Sequence, residues 1–260
     1  MSRLFRFEFR KVFRSKYLYI LLGGAIGYVF LNGLTLYFVN WILENLVTEA
    51  GEVIPPGMFD YNSYSYTKSA INSNFLMIIG IFIAIFSCED NGHGTAKNII
   101  GKGYSRIQVF FSKYLTSLIL TVGISIAAIL AASLFGLIAW GADSFDKGDD
   151  ILIVIILGQL LSVIVYHMVF FAIAYSVGRS GGAIVINILA PLGLSLVFQI
   201  VDILINREGF SLNSYWIDGI LLNFNSTTNT DLFVSNFLLL FVYYAAALVP
   251  SILVARRKQY

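Results

Sequence analysis

The residue types that most often carry chemistry are few in this chain and poorly grouped. Glu89 and Asp90 form a lone acidic pair, and the two histidines, His93 and His167, lie in separate regions. No spacing of His, Cys, Asp and Glu matches a metal site, and no Gly-x-Ser-x-Gly motif marks a nucleophile elbow. The single cysteine, Cys88, allows no internal disulfide and no cysteine-based metal cluster. We therefore predict no catalytic residue, no metal site and no bond chemistry in this chain.

Glycines near position 100 raise the question of nucleotide binding. A phosphate loop requires Gly-x4-Gly-Lys followed by Ser or Thr, after a strand. Here Gly101-Lys102 is followed by Gly103, and position 96 is Ala instead of Gly. The pattern fails, so any use of ATP requires another chain to bind it. We predict no cofactor in this chain.

The composition indicates a membrane protein. The chain is 58% hydrophobic and 12% charged, whereas soluble domains carry about 25% charged residues. A spanning helix needs about 20 mostly apolar residues, and six such runs occur at 17–43, 71–86, 114–140, 151–177, 183–205 and 233–255. The second run is the shortest, and an earlier start near Tyr66 is left open. We predict an all-α polytopic protein that forms a single transmembrane domain over residues 1–260.

The distribution of charge predicts the topology. All Lys and Arg residues except Lys68, Lys147 and Arg207 fall on one side when the N-terminus, the 87–113 loop, the 177–182 turn and the C-terminus are grouped together. Cytoplasmic loops of membrane proteins carry such an excess of cations. Both termini are therefore predicted to be cytoplasmic, which agrees with an even number of spans. No nucleic-acid partner is predicted.

Residues 1–16 are predicted to form an interfacial helix. Phe5, Phe9, Val12 and Phe13 share a face at helical spacing, and cations such as Arg10 occupy much of the rest. Basic amphipathic helices with aromatic anchors lie in the membrane interface and are attracted by anionic lipid. A simple positive flank for the first span is the alternative.

Two segments on the other side of the membrane differ in character. Residues 44–70 are predicted to form an extracellular loop, because Pro55-Pro56-Gly57 breaks any helix. Residues 206–232 are half apolar but too short and mixed to span. We predict short interfacial or re-entrant extracellular helices there, between spans five and six.

The 87–113 loop carries local structural signals. Residues 95–100 suit a short helix along the membrane, which Gly101 and Gly103 would stop. Ser105 suits the N-cap of a helix that continues through Lys113 into the third span. A short helix that projects from the bilayer in this way suits contact with a soluble partner.

This loop resembles the cytoplasmic loop of ABC-2-type exporter permeases, through Glu89-x4-Gly94-Thr95-x-Lys97-Asn98, Gly103-x-Ser105-Arg106 and Ser112-Lys113. It is most similar to that of the small bacterial permeases for peptide toxins, lantibiotics and bacitracin-type antibiotics. The resemblance implies a coupling helix that docks on an ATPase subunit, and an N-terminal elbow helix. It assigns coupling or loop geometry to Glu89, Gly94, Thr95, Lys97, Asn98, Gly103, Ser105, Arg106 and Lys113, and the elbow to Phe5, Phe9, Arg10 and Phe13.

The same resemblance implies the partners and the function. We expect two copies of a cytoplasmic ABC ATPase that hold ATP and Mg²⁺, and a second permease as homodimer or sister chain, in the bacterial cell membrane. The expected function is export of an amphipathic substrate such as a peptide toxin or antibiotic, which would confer resistance or immunity. Alternating access and lateral extrusion are both left open.

Polar residues inside spans are the candidates for a pathway, since they are costly in lipid and usually face a bundle interior or cavity. Hydrogen bonding between helices is the alternative for each of them. Asp202 lies near the end of the fifth span, where water can solvate it. The candidate pathway residues are Asn32, Asn40, Gln159, His167, Asn187 and Gln199.

Two other functions were weighed. An ion-coupled secondary carrier would normally place an acid at the middle of a span, and the predicted spans have none there. A membrane sensor or assembly subunit that transports nothing is the second alternative.

Overall fold

The computed structural model describes residues 2–50, 62–92, 95–142, 152–205, 211–226 and 230–257, and no strand occurs among them. A short 3-10 helix, Asn213–Tyr215, accompanies the α-helices. The α-helices are α1 Ser2–Arg14, α2 Lys16–Ala50, α3 Ser63–Lys68, α4 Ser73–Gly92, α5 Thr95–Gly101, α6 Arg106–Trp140, α7 Leu152–Val177, α8 Ser180–Ile205, α9 Ile217–Ser226 and α10 Thr230–Arg257.

Six segments are long and apolar enough to cross a membrane, which confirms the predicted all-α polytopic fold. They lie in α2, in α3 and α4 together, and in α6, α7, α8 and α10. With an even number of spans, α1, α5 and the end of α10 lie at one end of the bundle, which we call the terminal face. The start of α4 and helices α3 and α9 lie at the other end, the opposite face.

The structure corrects the predicted loop 44–70. Helix α2 continues to Ala50, and α3 occupies part of the remainder. A helix does not end where its apolar side chains end, and neither Gly nor Pro occurs between residues 34 and 50. The prolines at 55 and 56 lie outside the described residues.

The second span begins earlier than the apolar run, as the open alternative near Tyr66 allowed. Asn62 caps α3, because its side chain accepts a hydrogen bond from the Ser65 amide at 2.7 Å. Asn72 does the same for α4 by accepting from the Phe75 amide at 3.0 Å. Two successive caps divide this span into a short and a long helix.

Helices α4, α6 and α7 form the centre of the bundle, and we call them the inner spans. The outer spans pack around them: α2 lies against α6, α8 against α4, and α10 against α7. An aromatic cluster joins α6 and α7, with Phe171 centroids 5.5 Å from both Phe110 and Tyr114. Phe171 itself is fully buried.

Helix α9 confirms the predicted short helix between the fifth and sixth spans. Its apolar residues Ile217, Ile220, Leu221 and Phe224 are buried, and it packs on α7. The half-apolar composition of this segment is therefore explained by burial of one helix face.

Candidate coupling surface

Helix α1 is packed into the protein along one narrow side. Leu4, Glu8 and Val12, spaced by four residues, are its buried residues, and α1 lies against α6. Leu4 shares a buried cluster with Ile99 of α5 and Val109 of α6. Helices α1 and α5 and the start of α6 therefore meet in one packed unit at the terminal face.

The predicted aromatic stripe of α1 is present beside this buried side. Phe5 and Phe9 have ring centroids 5.4 Å apart, and Phe9 and Phe13 are 5.2 Å apart. Phe13 and Arg10 are exposed, whereas Val12 points into the protein instead of joining the stripe. The three phenylalanines therefore give α1 a second apolar side that remains available to the surroundings.

The junction between α5 and α6 follows the sequence signals closely. Gly103 has φ +89°, a backbone region that side chains disfavour, and it ends the α5 turn. Ser105 caps α6: its hydroxyl accepts from the Gln108 amide at 3.2 Å, and Gln108 Oε1 accepts from the Ser105 amide at 3.0 Å. This reciprocal capping box sets the direction in which α6 enters the bundle.

Two polar contacts tie this unit to other spans. Lys11 of α1 forms a salt bridge with Glu89 near the end of α4, at 3.0 Å. Arg106 at the start of α6 donates from Nη1 to the backbone oxygen of Arg256 in α10, at 3.1 Å. These contacts therefore link the unit formed by α1, α5 and the start of α6 to α4 and α10, so that a displacement of the unit would also act on those two spans.

The predicted coupling residues divide into exposed and internal ones. Lys97 and Asn98 are exposed on α5, and Thr95 begins that helix half-buried. Lys113 is instead almost fully buried and donates to the Ser87 carbonyl at 3.3 Å, which joins α6 to α4. Lys113 belongs to the internal geometry of the loop. Gly94 lies outside the described residues.

Sequence reasoning missed Glu8, which is fully buried on α1. The signal was present, since Leu4 and Val12 flank Glu8 at intervals of four residues. The predicted aromatic stripe of Phe5, Phe9 and Phe13 lies one position further along the chain than the buried residues Leu4, Glu8 and Val12.

The sequence profile described as ABC-2 family transporter protein matches residues 4–202. The chain belongs to the ABC-2 transporter family. No curated protein and no solved structure matches it. The match extends from α1 through the first five spans of this ABC-2 chain. ABC-2 permeases are membrane transport components that work with an ATPase subunit.

Three of the candidate pathway residues of this ABC-2 chain bind neighbouring helices. The Gln159 amide donates to the carbonyl of Lys68, and His167 Nε2 lies 2.8 Å from Ser117 Oγ. The Asn187 amide donates to the Gly80 carbonyl at 3.0 Å. All three side chains are fully buried, so the alternative of interhelical hydrogen bonding accounts for their presence.

The other candidates lie nearer the surface. Asn32 and Asn40 are half-buried on α2, and Gln199 is exposed on α8, where it lines a cavity. Asp202 is not simply solvated, because it accepts hydrogen bonds from the Ser211 hydroxyl at 2.8 Å and the Asn213 amide at 3.0 Å. Its carboxylate organises the turn that leads into α9. A pathway role for the six residues remains a prediction.

Sequence reasoning also missed Asp218, a buried carboxylate in α9 of this ABC-2 chain. The sequence carried a signal for it. Asp218 lies between Ile217 and Ile220, and an acid among apolar residues stands out in a segment that was predicted to lie at the membrane.

Proposed function

We propose that this chain is the permease subunit of an ATP-driven exporter, moved by a separate ATPase subunit that docks on α1 and α5. The observation that carries the proposal is the position of α5. Its exposed side presents Lys97 and Asn98, while its buried residue Ile99 belongs to one apolar cluster with Leu4 of α1 and Val109 of α6. A short helix held in this way would transmit a movement of the docked ATPase subunit to α1 and α6.

The contacts of the terminal face indicate how such a push would spread. Ile99 shares a buried cluster with Leu4 of α1 and Val109 in the first turn of α6, so displacement of α5 would disturb the packing of both helices. The Lys11–Glu89 salt bridge carries the motion to α4, and the bond from Arg106 to the Arg256 carbonyl carries it to α10. ATP and Mg²⁺ belong to the ATPase in this proposal, and the permease responds as a set of packed helices.

The proposal includes orientation, assembly and cargo. We place the terminal face in the cytoplasm of a bacterial cell, where the exposed cations of α1 and α5 meet a soluble ATPase and anionic lipid. Two permease chains and two ATPase subunits would form the exporter. The apolar surfaces of the outer spans suit an amphipathic cargo, for which a peptide toxin or peptide antibiotic is the proposed class.

Charge reversal on the exposed part of the coupling surface tests docking. Lys97→Glu combined with Arg106→Glu should lower the amount of ATPase that co-purifies with the permease by about tenfold or more, because two favourable contacts become repulsive. The amount of permease in the membrane should stay the same. Arg179→Glu is the matched control, since this exposed cation lies at the α7–α8 turn on the same face.

Two results would contradict the proposal. An unchanged yield of the complex in the double variant would remove the coupling role of α5 and its junction with α6. Transport by the purified chain on an ion gradient, without an ATPase, would favour the secondary carrier instead.

A further inference from the structure

A cavity of about 210 Å³ lies near the opposite face, between α4, α7, α8 and α9. Its walls include the apolar side chains of Leu76, Phe170 and Leu222. Leu222 and Gln199 are exposed, so the cavity communicates with the surface of the bundle. The polar side chains that line it are Ser73, Tyr166, Ser195, Gln199, Asn213 and Asp218.

Asp218 is the charged group of this cavity, and it is 8% exposed. Its two carboxylate oxygens accept hydrogen bonds from Ser73 Oγ at 2.9 Å and from Ser195 Oγ at 3.0 Å. Hydroxyl donors stabilise a carboxylate but leave its charge uncancelled. Across the parts of the chain that the structure describes, no Lys or Arg forms a salt bridge with Asp218.

One further polar atom of the lining, Asn213 Oδ1, is buried without a hydrogen-bond partner. The Tyr166 hydroxyl lies near the Asp218 carboxyl group and interacts with it. Buried polar atoms in native proteins are usually satisfied. Asn213 Oδ1 and the Asp218 carboxylate are acceptors, and the tyrosine oxygen accepts as well as donates. The cavity therefore presents several acceptors and an excess negative charge.

A primary ammonium group is the chemical complement of this lining. It carries one positive charge and three N–H donors and has no acceptor. The volume suits a small apolar body attached to it, because a cavity of about 150 Å³ holds a benzene molecule. The acceptors fix the ammonium end, and the apolar walls receive the rest of the ligand.

We propose that this cavity binds the primary ammonium group of an amphipathic ligand, with Asp218 as its counter-ion. The identification of that ligand as transported cargo rests on the proposed function. An amine of a peptide, at its N-terminus or on a lysine side chain, is the class of group that the site would take. Binding itself needs no ATPase.

Benzylamine tests the site, with benzyl alcohol as the neutral probe of the same shape. We expect titrations followed by saturation-transfer NMR on the purified full chain to show benzylamine binding at least tenfold more tightly than benzyl alcohol, because a charge-assisted contact is stronger than a neutral one. Asp218→Asn should lower the benzylamine affinity at least tenfold and leave that of benzyl alcohol unchanged.

Asp231→Asn is the matched control, since it removes a carboxylate at the start of α10, at the same end of the bundle, and none of the described residues of α10 lines the cavity. It should keep the benzylamine affinity within twofold. Leu222→Trp provides a second test if Asp218→Asn fails to fold. It enlarges an exposed side chain at the cavity wall and should block both probes.

Several outcomes would overturn the proposal. Equal affinities for the two probes would show that charge is not recognised, and an equal loss of benzylamine affinity in Asp231→Asn would assign the effect to the general electric field of this face. Competition of Na⁺ against benzylamine at equal concentration would reassign the cavity to an inorganic cation. If the unmodified chain binds benzylamine but no ATPase, the proposed function is wrong and the site stands. If it binds an ATPase but no benzylamine, the site alone is wrong.

Discussion

The inner and outer spans are all apolar enough to cross a membrane but differ in how much protein surrounds them. In their most apolar stretches, 61% of residues are buried in the second span and 50% in the third and fourth. The corresponding shares are 22% in α2, 6% in α8 and 11% in α10. The inner spans are held by protein contacts on most sides, whereas the outer spans leave most of their surface for lipid or a second chain.

Hydropathy does not account for this difference. The third span and α8 have mean hydropathies of 2.5 and 2.3, although their buried shares are 50% and 6%. In a bilayer, apolar side chains gain little by leaving lipid, so close packing and hydrogen bonds between helices decide which surfaces meet. Contacts with neighbouring helices, and not hydropathy, therefore separate the inner spans from the outer ones.

Truncation of a large aromatic side chain should show the largest contrast. Phe171→Ala in α7 opens a cavity in the aromatic cluster and should lower the free energy of unfolding by about 3 kcal/mol. Phe241→Ala in α10 removes a ring that is 66% exposed, and the change should stay within about 0.5 kcal/mol. SDS titration of the folded protein in mixed micelles measures both. Equal losses would mean that lipid or a partner packs the outer spans as tightly as protein does.

Addition of one methyl group should give the next largest contrast. A Cβ at Gly158 in α7 would lie 2.6 Å from Phe224 of α9, whereas nothing lies within 4 Å of one at Gly193 in α8. Gly158→Ala should therefore cost about 1–3 kcal/mol through overpacking. Gly193→Ala should be neutral or stabilising by up to about 1 kcal/mol. The same titration checks both, and destabilisation by Gly193→Ala would place a neighbouring chain against α8.

Loss of a single hydroxyl should give the smallest contrast. Ser117→Ala removes the partner of His167 Nε2 and should cost about 0.6–2 kcal/mol, the range for interhelical hydrogen bonds in membranes. Ser176→Ala is the control, because Ser176 is exposed and donates only to Ala172 of its own helix. Its effect should stay within about 0.5 kcal/mol. If the two variants unfold at the same SDS fraction, the contact between His167 and Ser117 does not hold α6 and α7 together.

The parts of the candidate site that could be predicted are those with local causes. Ser105 and Gln108 satisfy each other within one turn, so the capping box is readable from four residues. Helix α5 ends at Gly101, and Gly103 in the turn that follows adopts the positive φ that favours glycine. The local structure of residues 95–113 was predictable for this reason.

The parts that could not be predicted depend on which helices meet. Lys113 resembles an exposed loop cation in the sequence, yet it is buried against the Ser87 carbonyl because α6 packs beside α4. The position of Asp218 in the cavity likewise depends on packing, because its two hydroxyl partners come from different helices, Ser73 from α4 and Ser195 from α8. Neither serine lies within 20 positions of Asp218, so no local pattern joins them.

The sequence by itself determined six apolar spans, the helix on each side of the Gly103 turn and the family resemblance in the 87–113 loop. Hydropathy, capping and glycine conformations act over a few residues, so they can be read along the chain. Only the tertiary structure decided which spans are inner, which polar side chains link helices and where Asp218 lies. The spans are apolar on all sides, and a helix without a polar side carries no local signal of the face that its neighbours will cover.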